Sequence, residues 1–212
     1  MGGFSLFHWI IVLILLAIPA LIVWLVLRAE SKRAASTAPT QSAATSVRPW
    51  VRYWARMLDI DLACVVSGLI IGVAAPDAFK QPGYDQLFVI ACIFAWVFIE
   101  SFLLSTVGTT PGKWLFKIQL VPPNGVKPTY SVAFSRSSKV WWRGLGIGFP
   151  LASLVTLILA YSNLTRNGIT SWDREDGFTV IHHHIGVLRV LVAVMFFALF
   201  FALVVVGNAV GA

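Results

Sequence analysis

Arg52, Arg56, Asp59 and Asp61 lie close together and lead straight into the apolar run Leu62 to Ala75. On a helix advancing about 100° per residue, Arg52 and Asp59 fall on nearly the same face with Arg56 one turn from each, so Arg56 and Asp59 are placed to pair. Glu100 interrupts a second apolar stretch, Leu87 to Val107, about 10 Å from its end at helical rise. Counted from a helix start near Trp54, Asp59 lies at a comparable depth. Charges at such depth are costly, and they persist chiefly where they bind an ion, relay a proton or hold helices together. A buried carboxylate gains proton affinity unless a cation faces it. Arg52, Arg56, Asp59, Asp61 and Glu100 therefore have the composition of a site for a monovalent cation or a proton, or of an ion-pair lock.

The elements that must position these residues follow from composition. The 212 residues are 58% hydrophobic and 12% charged, with mean hydropathy +0.82. Ordinary soluble domains carry about 25% charged residues, so this is the composition of an integral membrane protein. No period-two barrel pattern occurs, which leaves helices to satisfy backbone groups in the bilayer. The expected fold is an all-α integral membrane protein of four to five hydrophobic helices, one of them able to re-enter, with a short cytoplasmic β-hairpin or strand element. The net charge is +7 and the pI near 9.9. The basic residues flank apolar segments, as in cytoplasmic loops, so anionic lipid headgroups are the expected partner and nucleic acid is not.

Phe7 to Leu27 is uncharged for 21 residues, about 31 Å as a helix and enough to span. Arg28, Lys32 and Arg33 follow it, which puts the N-terminus outside. The chain then divides into an N-terminal anchor helix (1–28), a flexible linker rich in Ala, Ser and Thr (29–48), a membrane domain (49–185) and a C-terminal membrane helix (186–212). Within the domain, spans are expected from about Met57 to Ala75 and from Leu87 to Val107, joined by a short external turn. Arg48 to Arg56, basic and aromatic, suits the headgroup level.

Gly108-Thr109-Thr110-Pro111-Gly112-Lys113 invites comparison with a phosphate loop. It has three residues between its outer glycines, where the Walker pattern has four, and Trp114 follows the lysine. Leu115 to Val121 alternates in polarity and precedes Asn124-Gly125, which predicts a cytoplasmic strand or hairpin. Thr129 to Arg143 is too charged to span and reads as an amphipathic helix on the inner surface, with Arg136, Lys139 and Arg143 as interfacial cations. Gly144, Gly146, Gly148 and Pro150 break the start of Leu145 to Tyr161, which either crosses or re-enters. His182, His183 and His184 are successive and cannot share one side of a strand. Cys64 and Cys92 lie inside expected spans without metal-ligand spacing, so no metal and no cofactor are expected.

Three of these segments together resemble the RDD family of small bacterial membrane proteins. Arg52-Tyr53-Trp54-Ala55-Arg56-Met57-Leu58-Asp59 is similar to its first-helix motif, Gly108 to Lys113 with Val121 to its Gly-Thr-Gly-Lys loop, and Trp172-Asp173 with Thr179-Val180 to its closing motif. The match runs from about Pro49 to Ile181. The name-giving residues would be Arg52, Asp59 and Asp173, with Arg136 at the position of a further family arginine. Trp172 stands where many members have His. The resemblance implies a multi-pass inner-membrane protein, with transport suspected and cation/proton antiport proposed for some members.

No nucleophile elbow, zinc-protease motif or dinucleotide loop is present, and no enzymatic activity is expected. The expected function is a small transporter or cation/proton exchanger built on Arg52, Arg56, Asp59, Asp61, Glu100 and Asp173. The alternative is an accessory or scaffold protein in which these charges lock helices and the basic inner face binds lipid or a partner. A homo-oligomer suits either, because so few spans enclose little. If the Phe178 region pairs with the strand near Phe116 to Val121, both lie on one side of the membrane and Leu145 to Tyr161 re-enters. A simple crossing would put Asp173 outside.

Overall fold

The computed structural model describes residues 47–211 apart from Pro76 and Pro82, with the backbone alone for Lys80 and 208–211. The anchor helix and most of the linker lie outside the described residues. Helix α1 spans Pro49–Ala74 and begins earlier than Met57. Pro49 fixes φ in the helical range and lacks an N–H that the first turn would leave unpaired. The basic aromatic segment is therefore the opening turns of α1 itself. A 3₁₀ turn at Ala78–Lys80 reverses the chain, and Gly83, at φ 78°, precedes α2, Tyr84–Thr106. Both helices are long and apolar enough to cross a membrane. Ile60 and Trp96 pack where they meet, with Met57, Ala63, Ile93 and Leu103 around them.

A single turn, α3 (Pro111–Leu115), leads into β1 (Ile118–Val121). Then come α4 (Tyr130–Leu145), α5 (Pro150–Asn167), α6 (Ser171–Glu175) and β2 (Thr179–His182). The strands pair antiparallel, from Ile118 opposite His182 to Val121 opposite Thr179. This is not a local hairpin. Asn124-Gly125 does turn the chain, with the Gly125 N–H bonded to the Pro122 carbonyl at 3.0 Å. Pro128, which has no N–H for a ladder, soon follows, and the chain enters α4. The sheet closes a small core of Leu104, Leu120, Ala133 and Phe178.

Helix α4 buries Ala133, Arg136, Ser137, Val140 and Gly144, one stripe at helical spacing, and exposes Val132 and Trp142. Arg136 is the one charged side chain on this buried stripe, whereas Arg143 lies on the exposed side with Val132 and Trp142. Between α4 and α5 the backbone takes positive φ at Gly146, Ile147 and Gly148. A Cβ on Gly146 would lie 2.4 Å from the Ala152 carbonyl carbon, so glycine there lets α5 fold back along α4. Helix α5 has 18 residues, and its polar last turns, Ser162 to Asn167, make it less apolar than α1 or α2.

Residues 47–184 form one compact unit, and Ile185 onward belongs to a second. That second unit contains α7, Val187–Gly211. The helices among the described residues long and apolar enough to cross a membrane are three, α1, α2 and α7. The chain is thus a predominantly helical membrane protein carrying a small two-stranded sheet.

Candidate functional site

Asp59 lies about three turns into α1, some 15 Å from its start at helical rise, deeper than a start near Trp54 implied. It does not pair with Arg56. Its Oδ1 accepts the Gly112 N–H at 2.6 Å and its Oδ2 accepts the Thr110 hydroxyl at 2.5 Å. Thr110 is the N-cap of α3 and Pro111 its first residue. The first N–H groups of a helix have no intrahelical acceptor and attract negative charge. The loop that resembles a phosphate loop thus takes an anion, but the anion is a carboxylate of its own chain. A Cβ on Gly112 would lie 2.0 Å from the Ala55 carbonyl oxygen and 2.9 Å from the Asp59 carboxyl carbon. Glycine is what brings the two segments close enough for this bond. Gly108 serves elsewhere: at φ 86° it ends α2, its N–H bonded to the Leu103 carbonyl at 2.9 Å.

Lys113 leaves α3 and donates to Glu100 Oε1 at 2.6 Å. Arg56 Nη2 faces the same oxygen at 3.6 Å and Arg136 Nη1 at 3.7 Å. Glu100 and Lys113 are 1% and 8% exposed. Removing two charges from water costs several kcal/mol each, and only close geometry with further donors offsets it. Burial pulls the Lys113 ammonium below its ordinary pKa, against the opposing pull of Glu100 and Asp59.

Asp173, in α6, is fully buried. Arg136 Nε and Nη2 donate to its Oδ1 at 3.0 and 2.8 Å, Arg52 Nη1 to its Oδ2 at 2.9 Å, and the Thr170 hydroxyl to Oδ2 at 2.7 Å. Burial opposes ionisation of this carboxyl, yet Arg136 and Arg52 hold it below the usual carboxylate range. The Arg136 guanidinium also lies 5.6 Å from the centre of the Phe178 ring. Burial disfavours its charge, but Asp173 and then Glu100 raise its pKa overall. Arg136 joins Asp173 to Glu100, so the motif residues of α1, α3, α4 and α6 meet in one network.

Several sequence expectations are corrected here. Arg136 is not interfacial, being 3% exposed. Lys139 and Arg143 do reach the surface, but Lys139 pairs with Asp176 at 2.6 Å and Arg143 with Glu175 at 2.5 Å. The hydrogen bond to Asp176 raises the Lys139 pKa. Arg56 turns to Glu100 where Asp59 was expected. Asp61 is half-buried on α1 outside the network, with Cys64 as its electrostatic neighbour. Thr170 and the partnership of Lys113 with Glu100 escaped the sequence reading. Thr170 had a signal in Thr170-Ser171-Trp172-Asp173, an N-cap followed by an acid at capping-box spacing.

His182 is buried on β2, and its Nε2 has no hydrogen-bond partner. Burial, with Arg52 and Arg48 nearby, pushes its pKa down to about 4. The His183 ring instead meets Gln119 Oε1 at 3.1 Å. Among the described residues no group of three His, Cys, Asp or Glu side chains is arranged to hold a metal. Cys64 and Cys92 are free thiols.

A cavity of about 650 Å³ opens onto the network. Its charged floor includes Arg52, Arg56, Asp59, Lys113 and Arg136, and its apolar walls include Trp50, Leu154, Leu157, Ile158 and Leu164. Compared with known proteins, residues 47–175 match the model of the RDD family. No curated protein and no solved structure matches the chain.

Proposed function

The chain belongs to the RDD family, and from that premise we propose that it is a small multi-pass inner-membrane transporter exchanging a monovalent cation for a proton. The observation that carries this reading is the buried Lys113–Glu100 pair, 2.6 Å long, with Lys113 lining the cavity. With Lys113 charged, Glu100 Oε1 faces three cations, of which Lys113 is the nearest. Burial has already lowered the proton affinity of Lys113. When its ammonium releases one proton, a monovalent cation takes the vacated positive position between Glu100 and Asp59. When the proton returns, the cation is expelled. One proton exchanges for one cation, and the arginines keep the floor closed meanwhile.

In this reading β1, β2 and the network share one side of the membrane, which the strand pairing supports, that side is the cytoplasmic one, and α5 is a re-entrant arm. A homo-oligomer would supply the rest of the path. The reading is tested with purified protein in liposomes holding a pH-sensitive dye. Imposed Na⁺ or K⁺ gradients should move protons, and Lys113→Met and Glu100→Gln should abolish the movement. Gradients that move no protons, with both variants behaving like wild type, end it.

A second reading rests on Asp59, whose two oxygens are both taken by α3 donors. Here the charges only lock helices and the protein is a membrane accessory. Asp59→Asn would then lower the amount of protein in the membrane, whereas normal abundance with lost exchange would favour transport.

A further inference from the structure

The charges of the network do not balance. Arg52, Arg56, Lys113 and Arg136, four cations, stand against Asp59, Glu100 and Asp173, three carboxylates. One positive charge is left over in a setting where uncompensated charge is costly. Arg56 is where the excess sits. It reaches Glu100 only at 3.6 Å, beyond a good charge-assisted hydrogen bond, and its side chain is 18% exposed. Arg52 beside it is 19% exposed and its Nε has no acceptor. Both line the cavity.

The rest of the cavity is apolar. Leu154, Leu157, Ile158 and Leu164 of α5 form one side, and Trp50 and Tyr161 stand 6.1 Å apart where α1 meets α5. Leu154 and Ile158 are more than half exposed, a face that suits acyl chain. Trp and Tyr prefer the headgroup level, with one end apolar and the other wet. About 650 Å³ far exceeds the volume of an inorganic ion and lies in the range of sites for drug-sized ligands.

We propose that this cavity holds an anionic bilayer lipid, its phosphate seated on Arg56 and Arg52 and its chains lying along α5. The guanidiniums offer several N–H donors in a planar fork suited to phosphate oxygens. The lipid anion neutralises the surplus charge, and its first methylenes cover the apolar wall. The site goes beyond the exchange reading, because it makes the lipid a resident ligand whether or not ions move.

The test uses the full-length protein in neutral detergent with an equal mixture of phosphatidylglycerol and phosphatidylcholine of matched chains, and native mass spectrometry to read the lipid retained. Both lipids carry the phosphate, but choline brings a second cation to a site already in positive excess, so phosphatidylglycerol should be enriched about tenfold or more. Arg56→Gln should bring the two lipids to parity, Arg56→Lys should keep part of the preference, and Leu157→Trp, which fills the wall, should lower retention of both. Gel filtration and circular dichroism establish that each variant is folded. Equal retention of the two lipids by wild type overturns the proposal, as does undiminished phosphatidylglycerol in folded Arg56→Gln and Leu157→Trp. Millimolar inorganic phosphate separates headgroup from free anion: bound phosphatidylglycerol that survives it supports a lipid site, and displacement by phosphate alone overturns one. Absent proton flux in liposomes would end the exchange reading and leave this one standing.

Discussion

Asp59 Oδ1 accepts the Gly112 N–H at 2.6 Å, so the carboxylate of a membrane helix occupies the place at the start of α3 that a phosphate would take in a nucleotide loop. The bond depends on backbone approach. Because a Cβ at residue 112 would meet the Ala55 carbonyl at 2.0 Å, Gly112→Ala must push α3 away from α1. The carboxylate is then left buried without its donors, a loss of about 1–3 kcal/mol or more. Thermal unfolding in detergent should show Gly112→Ala markedly below wild type. A variant with an unchanged midpoint would mean that α3 does not pack on α1 as described.

Lys113 and Glu100 should behave as a coupled pair. Removing either partner leaves the other buried without its closest counter-charge, Glu100 with Arg56 and Arg136 at 3.6 and 3.7 Å and Lys113 with Thr110 at 3.4 Å, a loss of up to about 3–5 kcal/mol. The double variant Glu100→Gln/Lys113→Met removes both charges together and should recover much of that loss. A double-mutant cycle on unfolding midpoints reads the coupling directly. Additive effects would mean that the pair is not formed in the membrane.

Arg136 should tolerate no replacement. Its guanidinium gives two donors to Asp173 and faces Glu100 as well, whereas the single ammonium of Lys cannot span both. Arg136→Lys should therefore lower folded yield steeply, while Arg143→Ala, which breaks a surface pair with Glu175, should have a small and salt-screened effect. Fluorescence-detected gel filtration of the two variants makes the comparison.

How much of this was legible in the sequence varied with the range of the interaction. The apolar runs 57–75 and 87–107 point to two helices, a local property, although α1 starts at Pro49, in the basic aromatic segment ahead of its run. The meeting of Asp59, Lys113, Arg136 and Asp173 could be reached only through the family resemblance, because no spacing rule brings together residues so far apart in sequence. Arg56 and Asp59 are one turn apart, a spacing that predicts a pair. The nearer donors on α3 won, since a helix start with free N–H groups binds a carboxylate without spending a second charge. The basic neighbours of Arg136 predict an interfacial position. Hydropathy does not single out Arg136 from its basic neighbours, because only the distant Asp173 and Glu100 decide that it is the one turned inward.

His182 makes the fold acid-sensitive in a defined window. Its pKa lies near 4 in the folded chain and about 6.5 when unfolded. Between those values the unfolded chain binds a proton and the folded chain does not, so stability is full above about pH 6.5 and falls as the pH drops toward 4. Asp173, whose pKa is lowered, contributes its own loss only below about pH 4. His182→Phe should flatten the unfolding midpoint between pH 6.5 and 4.5, where wild type declines. Parallel declines in both proteins would place the acid sensitivity elsewhere.

The pairing of β1 with β2 makes a topological demand that labelling can test. Ile118 to Val121 lies directly after α3, and Thr179 to His182 directly after α6, in one antiparallel ladder. Residues flanking these strands must share an aqueous side, whereas the turn at Ala78–Lys80 lies at the far end of α1 and α2. With Cys64 and Cys92 replaced by Ser, single cysteines at Asn124, Asp176 and Gln81 report each place to a membrane-impermeant maleimide. Asn124→Cys and Asp176→Cys should react from the same side, and Gln81→Cys from the other. A result pairing Asp176→Cys with Gln81→Cys would require α5 to cross the bilayer. The strands could then not pair, and Asp173 could not reach Arg52 and Arg136, so the same result would dissolve the network as well as the sheet.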